Sequence, residues 1–183
     1  MPHWERLNFR RARWIAFAGA VLAAWLVSIA IRPTAQQSDG KRGEVVADFA
    51  LPLLSATGLD PTTLDGPLNH RGKPLLLHFW APSCAPCRAE LPIWRELAQH
   101  GTAFTVLTVA GDDSEEVARY LSDHQLLLPV VWDENGTAHR ALNVWGIPHT
   151  FAISRTGVIV RDLPGAQTRA ELAAALEAAS AAK

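Results

Sequence analysis

Two thiols three positions apart, in Cys84-Ala85-Pro86-Cys87, come directly after the apolar run Leu75 to Trp80 and open a helical pattern that extends to about Gln99. That order restricts the fold more than any other feature of the chain. A short apolar run introduced by Lys73-Pro74 reads as a buried strand, and Gly101 supplies a stop for the helix. In the first turn of a helix, side chains at i and i+3 share a face, so the sulfurs lie within bridging reach without backbone movement. No other cysteine occurs in the 183 residues, which is too few for a disulfide-built scaffold or an all-cysteine zinc site. So small a loop restrains the unfolded chain by only about 2 kcal/mol in the loop-entropy account, a weak reason to keep the pair. Reversible redox exchange is the stronger reason. A metal site completed by histidines and an incidental structural disulfide are its competitors.

Strand and helix signals alternate through the rest of the chain. Phe104 to Ala110 reads as a second strand, and Pro129 to Asp133 as a third. Asp113 stands three residues before Glu116, an arrangement in which a side-chain cap and a reciprocal carboxylate satisfy free amides at a helix start; that helix runs to about His124. A short helix over Thr137 to Leu142 leads to Gly146-Ile147-Pro148. Thr150 to Ser154 and Val158 to Asp162 then flank Arg155-Thr156-Gly157 as a hairpin. Thr168 and Glu171 repeat the capping pattern before a last alanine-rich helix. Strands separated by helices, closed by a hairpin and a helix, predict an α/β sandwich around a mixed sheet. With 49% apolar residues and a formal net charge of -1, the chain has the makings of a compact core and speaks against both disorder and a nucleic-acid partner.

The amino-terminal region has a separate character. From Trp14 to Ile31 there is no charged residue, and 18 residues of helix extend about 27 Å, close to the thickness of a bilayer core. Arg6, Arg10, Arg11 and Arg13 precede the stretch and favour an N-terminus held in the cytosol. The expected organisation is a cytoplasmic segment at 1–13, a transmembrane anchor at 14–31, a flexible linker at 32–44 and one domain at 45–183. A cleaved signal peptide is the alternative to a retained anchor. No cysteine follows the span, which argues against a lipid-anchored lipoprotein.

A helix start offers unpaired amides and a positive dipole end, which favour a thiolate on the first cysteine. Cys84 is therefore expected to attack, and Cys87, one turn deeper, to resolve the mixed disulfide that Cys84 forms. Pro86 lacks an amide hydrogen and suits an early helical position.

The segments HFWAPSCAPCRAELP and GIPHTFAI resemble the thioredoxin superfamily, and more closely its membrane-anchored TlpA/ResA branch; the similarity runs through nearly all of residues 45 to 183. The resemblance implies a thioredoxin-like three-layer sandwich with a central mixed sheet behind one N-terminal transmembrane helix. It implies that Pro148 is a cis-proline facing the cysteine pair, with the Ile147 backbone free to pair with an extended substrate segment. Glu90 matches a carboxylate that this branch places near the thiols for proton handling, with a solvent-facing helix glutamate as the alternative. His78 stands where thioredoxin has a buried acid, and either mediates proton transfer with Cys87 or is satisfied by the backbone. His149 follows the proline and either senses substrate charge or is a surface histidine. Trp80 and Trp145 either line the approach to the thiols or pack in the core, which is the default. His70, His100, His124 and His139 receive no role.

As to function, the resemblance implies a reductase that takes electrons from a membrane dithiol donor and passes them to an extracytoplasmic protein disulfide, either an apocytochrome c pair or the cysteines of a copper protein. The expected location is the bacterial inner membrane, the N-terminal helix in the bilayer and the catalytic domain in the periplasm. No cofactor is called for. A copper(I) metallochaperone using both thiolates and a disulfide oxidase or isomerase are the alternatives.

Overall fold

The computed structural model describes residues 40–182, Gly101 excepted. The expected segments 1–13 and 14–31 and the linker as far as residue 39 lie outside the described residues. Among the described residues no helix is long and apolar enough to cross a membrane.

Seven strands form one mixed sheet. They are β1 (Leu51–Ser55), β2 (Gly58–Asp65), β3 (Leu75–Trp80), β4 (Thr105–Ala110), β5 (Val130–Trp132), β6 (His149–Ile153) and β7 (Ile159–Pro164), arranged in the order β2-β1-β5-β4-β3-β6-β7. β3, β4 and β5 run parallel, while β1 pairs antiparallel with β5, and β6 antiparallel with β3. Parallel neighbours need crossovers, and helices α1 (Ala85–His100) and α2 (Ser114–Asp123) supply them. Helix α3 (Thr137–Ala141) precedes the closing hairpin, and α4 (Arg169–Ala181) follows it. The α/β fold with a mixed sheet expected from the sequence is thus the one observed.

Every residue of β3 is buried, as expected for a central strand covered on both faces. Its period of two sends Leu75, Leu77 and Phe79 into one apolar cluster with Val46, Phe49 and Ala138. Leu76 and Trp80 enter the other, with Leu91 and Trp94 of α1, Leu121 of α2 and Leu172 of α4. His78 shares the parity of Leu76 and Trp80 and so faces α1.

The capping signals are realised with one change. Thr168 forms the full reciprocal box with Glu171, but at α2 the Asp113 carboxylate takes the amides of both Glu115 and Glu116 itself. The hairpin β1–β2 is the element that residue patterns do not announce: β2 is largely exposed and contains Pro61, which an edge strand tolerates, so it lacks an apolar alternation. Gly66 ends it at a point where an added Cβ would sit 1.8 Å from the Phe49 carbonyl oxygen, so no other residue fits that approach. At the opposite edge Gly43 and Val46 donate to the carbonyls of Ile159 and Gly157, and Ile159 donates to Glu44, covering the free side of β7.

Candidate active site

The site is assembled where β3 gives way to α1. After Trp80 the chain turns through Ala81-Pro82-Ser83, closed by the Cys84 amide on the Ala81 carbonyl at 3.2 Å, and the Cys84 carbonyl accepts the Arg88 amide at 3.0 Å. Cys84 therefore stands at the mouth of the helix. Cys84 and Cys87 are joined by a disulfide with an S–S distance of 2.06 Å. The two sulfurs are unequal: Cys84 is partly exposed whereas Cys87 is fully buried. The Cys87 backbone N–H donates to Cys84 Sγ at 3.2 Å, so an amide of the first helical turn already points at the outer sulfur. From the other side the Ile147 carbonyl oxygen lies 3.8 Å from Cys84 Sγ. The Ile147–Pro148 peptide is cis, and the Pro148 carbonyl is held by the Gly165 amide at 2.9 Å.

Beneath this surface lies a cluster of buried polar groups. Glu90, one turn after Cys87, is 4% exposed, which removes the solvent-facing alternative. Its Oε1 accepts the Gln167 backbone N–H, while Oε2 has no hydrogen-bond partner and lies 3.9 Å from His78 Nε2, equally unpartnered. His78 is fully buried, its Nδ1 3.0 Å from Thr150 Oγ1 and its ring stacked on Trp94 with centroids 4.3 Å apart. The hydrogen bond at Nδ1 is thus to a side chain rather than to the backbone, and Nε2 has none. Burial, with a smaller contribution from the charge of His149, depresses the His78 pKa to about 3, so the ring is neutral at ordinary pH. Burial also pushes the Glu90 carboxyl up, against the opposing Gln167 amide. A neutral imidazole thus faces a carboxyl disposed to keep its proton.

Two sequence readings need correction. His149 is not an open surface histidine: its side chain is 11% exposed, its Nε2 lies 2.6 Å from Asp162 Oδ1, and its ring stacks on Phe151. The packing default holds for Trp80 but fails for Trp145, which is 90% exposed. Trp145 follows the left-handed Asn143 by two residues and donates its indole N–H to Asn143 Oδ1 at 2.7 Å, which fixes the ring outside the core.

The structure also assembles residues that sequence reasoning left without a role. A cleft of about 280 Å³ opens at the carboxyl ends of β3, β4 and β5, lined among others by Ala81, Asp112, Glu134, His139 and Ile147. His139 Nδ1 lies 2.7 Å from Oδ2 of Asp133, a residue 1% exposed. Burial acts against ionisation of Asp133, but the His139 ring and the amides of His139 and Ala138 outweigh it and hold the carboxyl below its usual range. No spacing in the sequence announces this pair, because it depends on how α3 turns back over the end of β5. Among the described residues no set of three or more histidine, cysteine or acidic side chains is placed to hold a metal ion.

Comparison with known proteins agrees with this geometry. Residues 43–162 match the family described as AhpC/TSA. The thiol-disulfide oxidoreductase ResA of Oceanobacillus iheyensis is 26% identical over 167 residues, covering 87% of this chain and 85% of the relative. The thioredoxin-like protein YneN of Bacillus subtilis is 30% identical over 137 residues, covering 72% of this chain and 76% of that protein. Among solved structures, the thiol:disulfide interchange protein DsbE from Chlorobium tepidum superposes with a TM-score of 0.66 at 26% identity, over 75% of this chain and 96% of the other.

Proposed function

The chain belongs to the AhpC/TSA family and is a thiol–disulfide oxidoreductase, and on that premise we propose that it reduces protein disulfides outside the cytoplasm, tethered to the membrane by residues 14–31. Cys84 is the attacking thiol. The observation that carries this assignment is the Cys87 amide aimed at Cys84 Sγ from the first turn of α1, on the more exposed of the two sulfurs. In the dithiol form that amide and the helix dipole favour a thiolate there. Cys87, fully buried, resolves the mixed disulfide and releases the reduced substrate. Ile147 and Pro148 form the wall along which an extended substrate strand is held, with His149 fixed behind them by Asp162. Glu90 handles the proton that Cys87 gives up as it attacks and regains on re-reduction, and neutral His78, across the buried gap from Glu90, mediates its transfer.

The electron donor is a membrane dithiol, whose encounter rate a tether in the same bilayer raises. The substrates are the cysteine pairs of an apocytochrome c or of a copper protein.

Trapping tests the assignment. Cys87→Ala is expected to accumulate a mixed disulfide through Cys84 that reducing gel electrophoresis dissolves, with the client identified by mass spectrometry. Adducts that persist in Cys84→Ala but not in Cys87→Ala would reverse the roles of the two thiols. His78→Leu tests the proton path: the pH dependence of thiol exchange should change, and an unaltered profile removes His78 from it.

A further inference from the structure

With Cys84 attacking as a thiolate, Cys87 supplies one proton to the substrate dithiol and one is left unaccounted for: when Cys84 attacks, the far substrate sulfur leaves as a thiolate and is protonated from outside the protein's own dithiol. A group for that purpose has to stand on the substrate side of Cys84, and the buried His78–Glu90 pair lies on the other side, between β3 and α1.

The cleft at the ends of the parallel strands is on the substrate side. Ile147 and Ala81 belong to its lining, and these are the residues whose carbonyls contact Cys84, at Sγ and at the backbone amide respectively. Ligand crevices of open α/β sheets lie at this end of the strands. Within it His139 has the arrangement of an oriented acid–base group. A buried carboxylate fixes Nδ1 at 2.7 Å, and two backbone amides hold that carboxylate in turn, from Ala138 at 3.1 Å and His139 at 3.0 Å. Phe79 packs edge-on against the ring, with centroids 4.9 Å apart. Gly111, another cleft residue, lies beside the pair: a Cβ built there would be 3.4 Å from the Asp133 carbonyl oxygen and 3.6 Å from His139 Cε1. The other ionisable groups about the ring are Asp112, which accepts from Ser83 Oγ at 3.1 Å, the exposed Glu134, and Arg140, which donates to the Asn135 carbonyl.

We infer that His139, oriented by Asp133, is the acid that protonates the substrate sulfur expelled by Cys84. The inference rests on Cys84 being the attacking thiol. The Cys84 thiolate forms a bond to the near substrate sulfur, and the substrate S–S bond breaks with its electron pair passing to the far sulfur. That sulfur takes the proton from Nε2 of the imidazolium, leaving neutral His139 beside a thiol. Cys87, giving up its proton, then attacks Cys84 Sγ; the Cys84–substrate S–S bond breaks, the near substrate sulfur leaves as a thiolate that takes up that proton, and the dithiol donor afterwards restores the two electrons. In the reverse direction His139 takes the proton from an incoming thiol.

An acid matters only for a basic leaving group, which gives a test that a structural role would not satisfy. The full-length protein, reduced beforehand, is mixed in single turnover with two disulfides: a peptide disulfide, which expels an alkyl thiolate, and dithiobis(nitrobenzoate), whose aromatic thiolate needs no proton. In His139→Gln the ratio of the alkyl to the aromatic rate is expected to fall about tenfold or more. Asp133→Asn, which removes the carboxylate charge that orients the ring, is expected to lower the same ratio. A ratio within twofold of wild type in both variants overturns the inference and leaves the Cys84 assignment standing. Failure of the wild-type protein to release either thiolate sinks that assignment and the inference with it.

Discussion

Trp94→Ala destabilises the folded domain by about 3–5 kcal/mol, the range for deleting a buried tryptophan side chain from a core. Trp94 is fully buried and belongs to the cluster that holds α1 against β3, where it is stacked on His78. Alanine would leave a cavity between the two elements that carry the redox site, bordered by the unpartnered Nε2 of His78 and Oε2 of Glu90. Trp94→Phe provides the contrast. Phenylalanine keeps an aromatic ring against His78 and forfeits the indole's remaining volume and its N–H beside the Glu90 carboxyl, so its cost should be well below that of alanine. Chemical denaturation reads both: the midpoint falls at unchanged m for each variant, by much more for alanine. A cost for Trp94→Ala under about 1 kcal/mol would mean that α1 is not held at this point.

What the sequence made legible follows the same physics. The buried strand, the helix after it and the terminal hairpin were readable because each has its own period, cap or turn. Thr168 and Glu171 announce α4 within four residues, and the structure shows the reciprocal bonds. The β1–β2 hairpin was not readable, because an exposed strand carrying Pro61 has no apolar face to display. At the site, the cysteine pair is visible because its spacing is itself the geometry. Burial is not visible in this way: nothing in the run Leu75 to Trp80 tells that His78 meets Glu90, since that pairing depends on the tilt of α1 over β3. The exposure of Trp145 and the junction of His139 with Asp133 are likewise products of tertiary arrangement, decided by the left-handed turn at Asn143 and by the return of α3.

The second large effect concerns acid. His78 is a base whose folded pKa lies at about 3 against an ordinary 6.5, so between those values the unfolded chain binds the proton that the folded chain refuses. Stability conferred by the neutral ring is therefore complete above about pH 6.5 and lost as pH falls towards 3, on the order of 5 kcal/mol in all. Glu90 works in the opposite sense, since a carboxyl raised in the folded state makes stability decline as pH rises above its ordinary 4.5. Below 4.5 Glu90 is protonated in both states and drops out, leaving His78 as the one member of the pair that still titrates differently. In that interval His78→Leu should show a stability curve shallower than wild type by up to about 1.4 kcal/mol per pH unit. Carboxylates depressed elsewhere, such as Asp65 and Asp133, lose stability on the same acid side but do so in both proteins and cancel in the difference. The leucine also leaves Thr150 Oγ1 without its ring partner, which offsets the whole curve without tilting it. Denaturation measured at intervals from pH 7 to pH 3 separates offset from tilt. Parallel curves below pH 4.5 would place His78 in contact with water or with a compensating charge, and the buried proton path proposed for Cys87 would go with it.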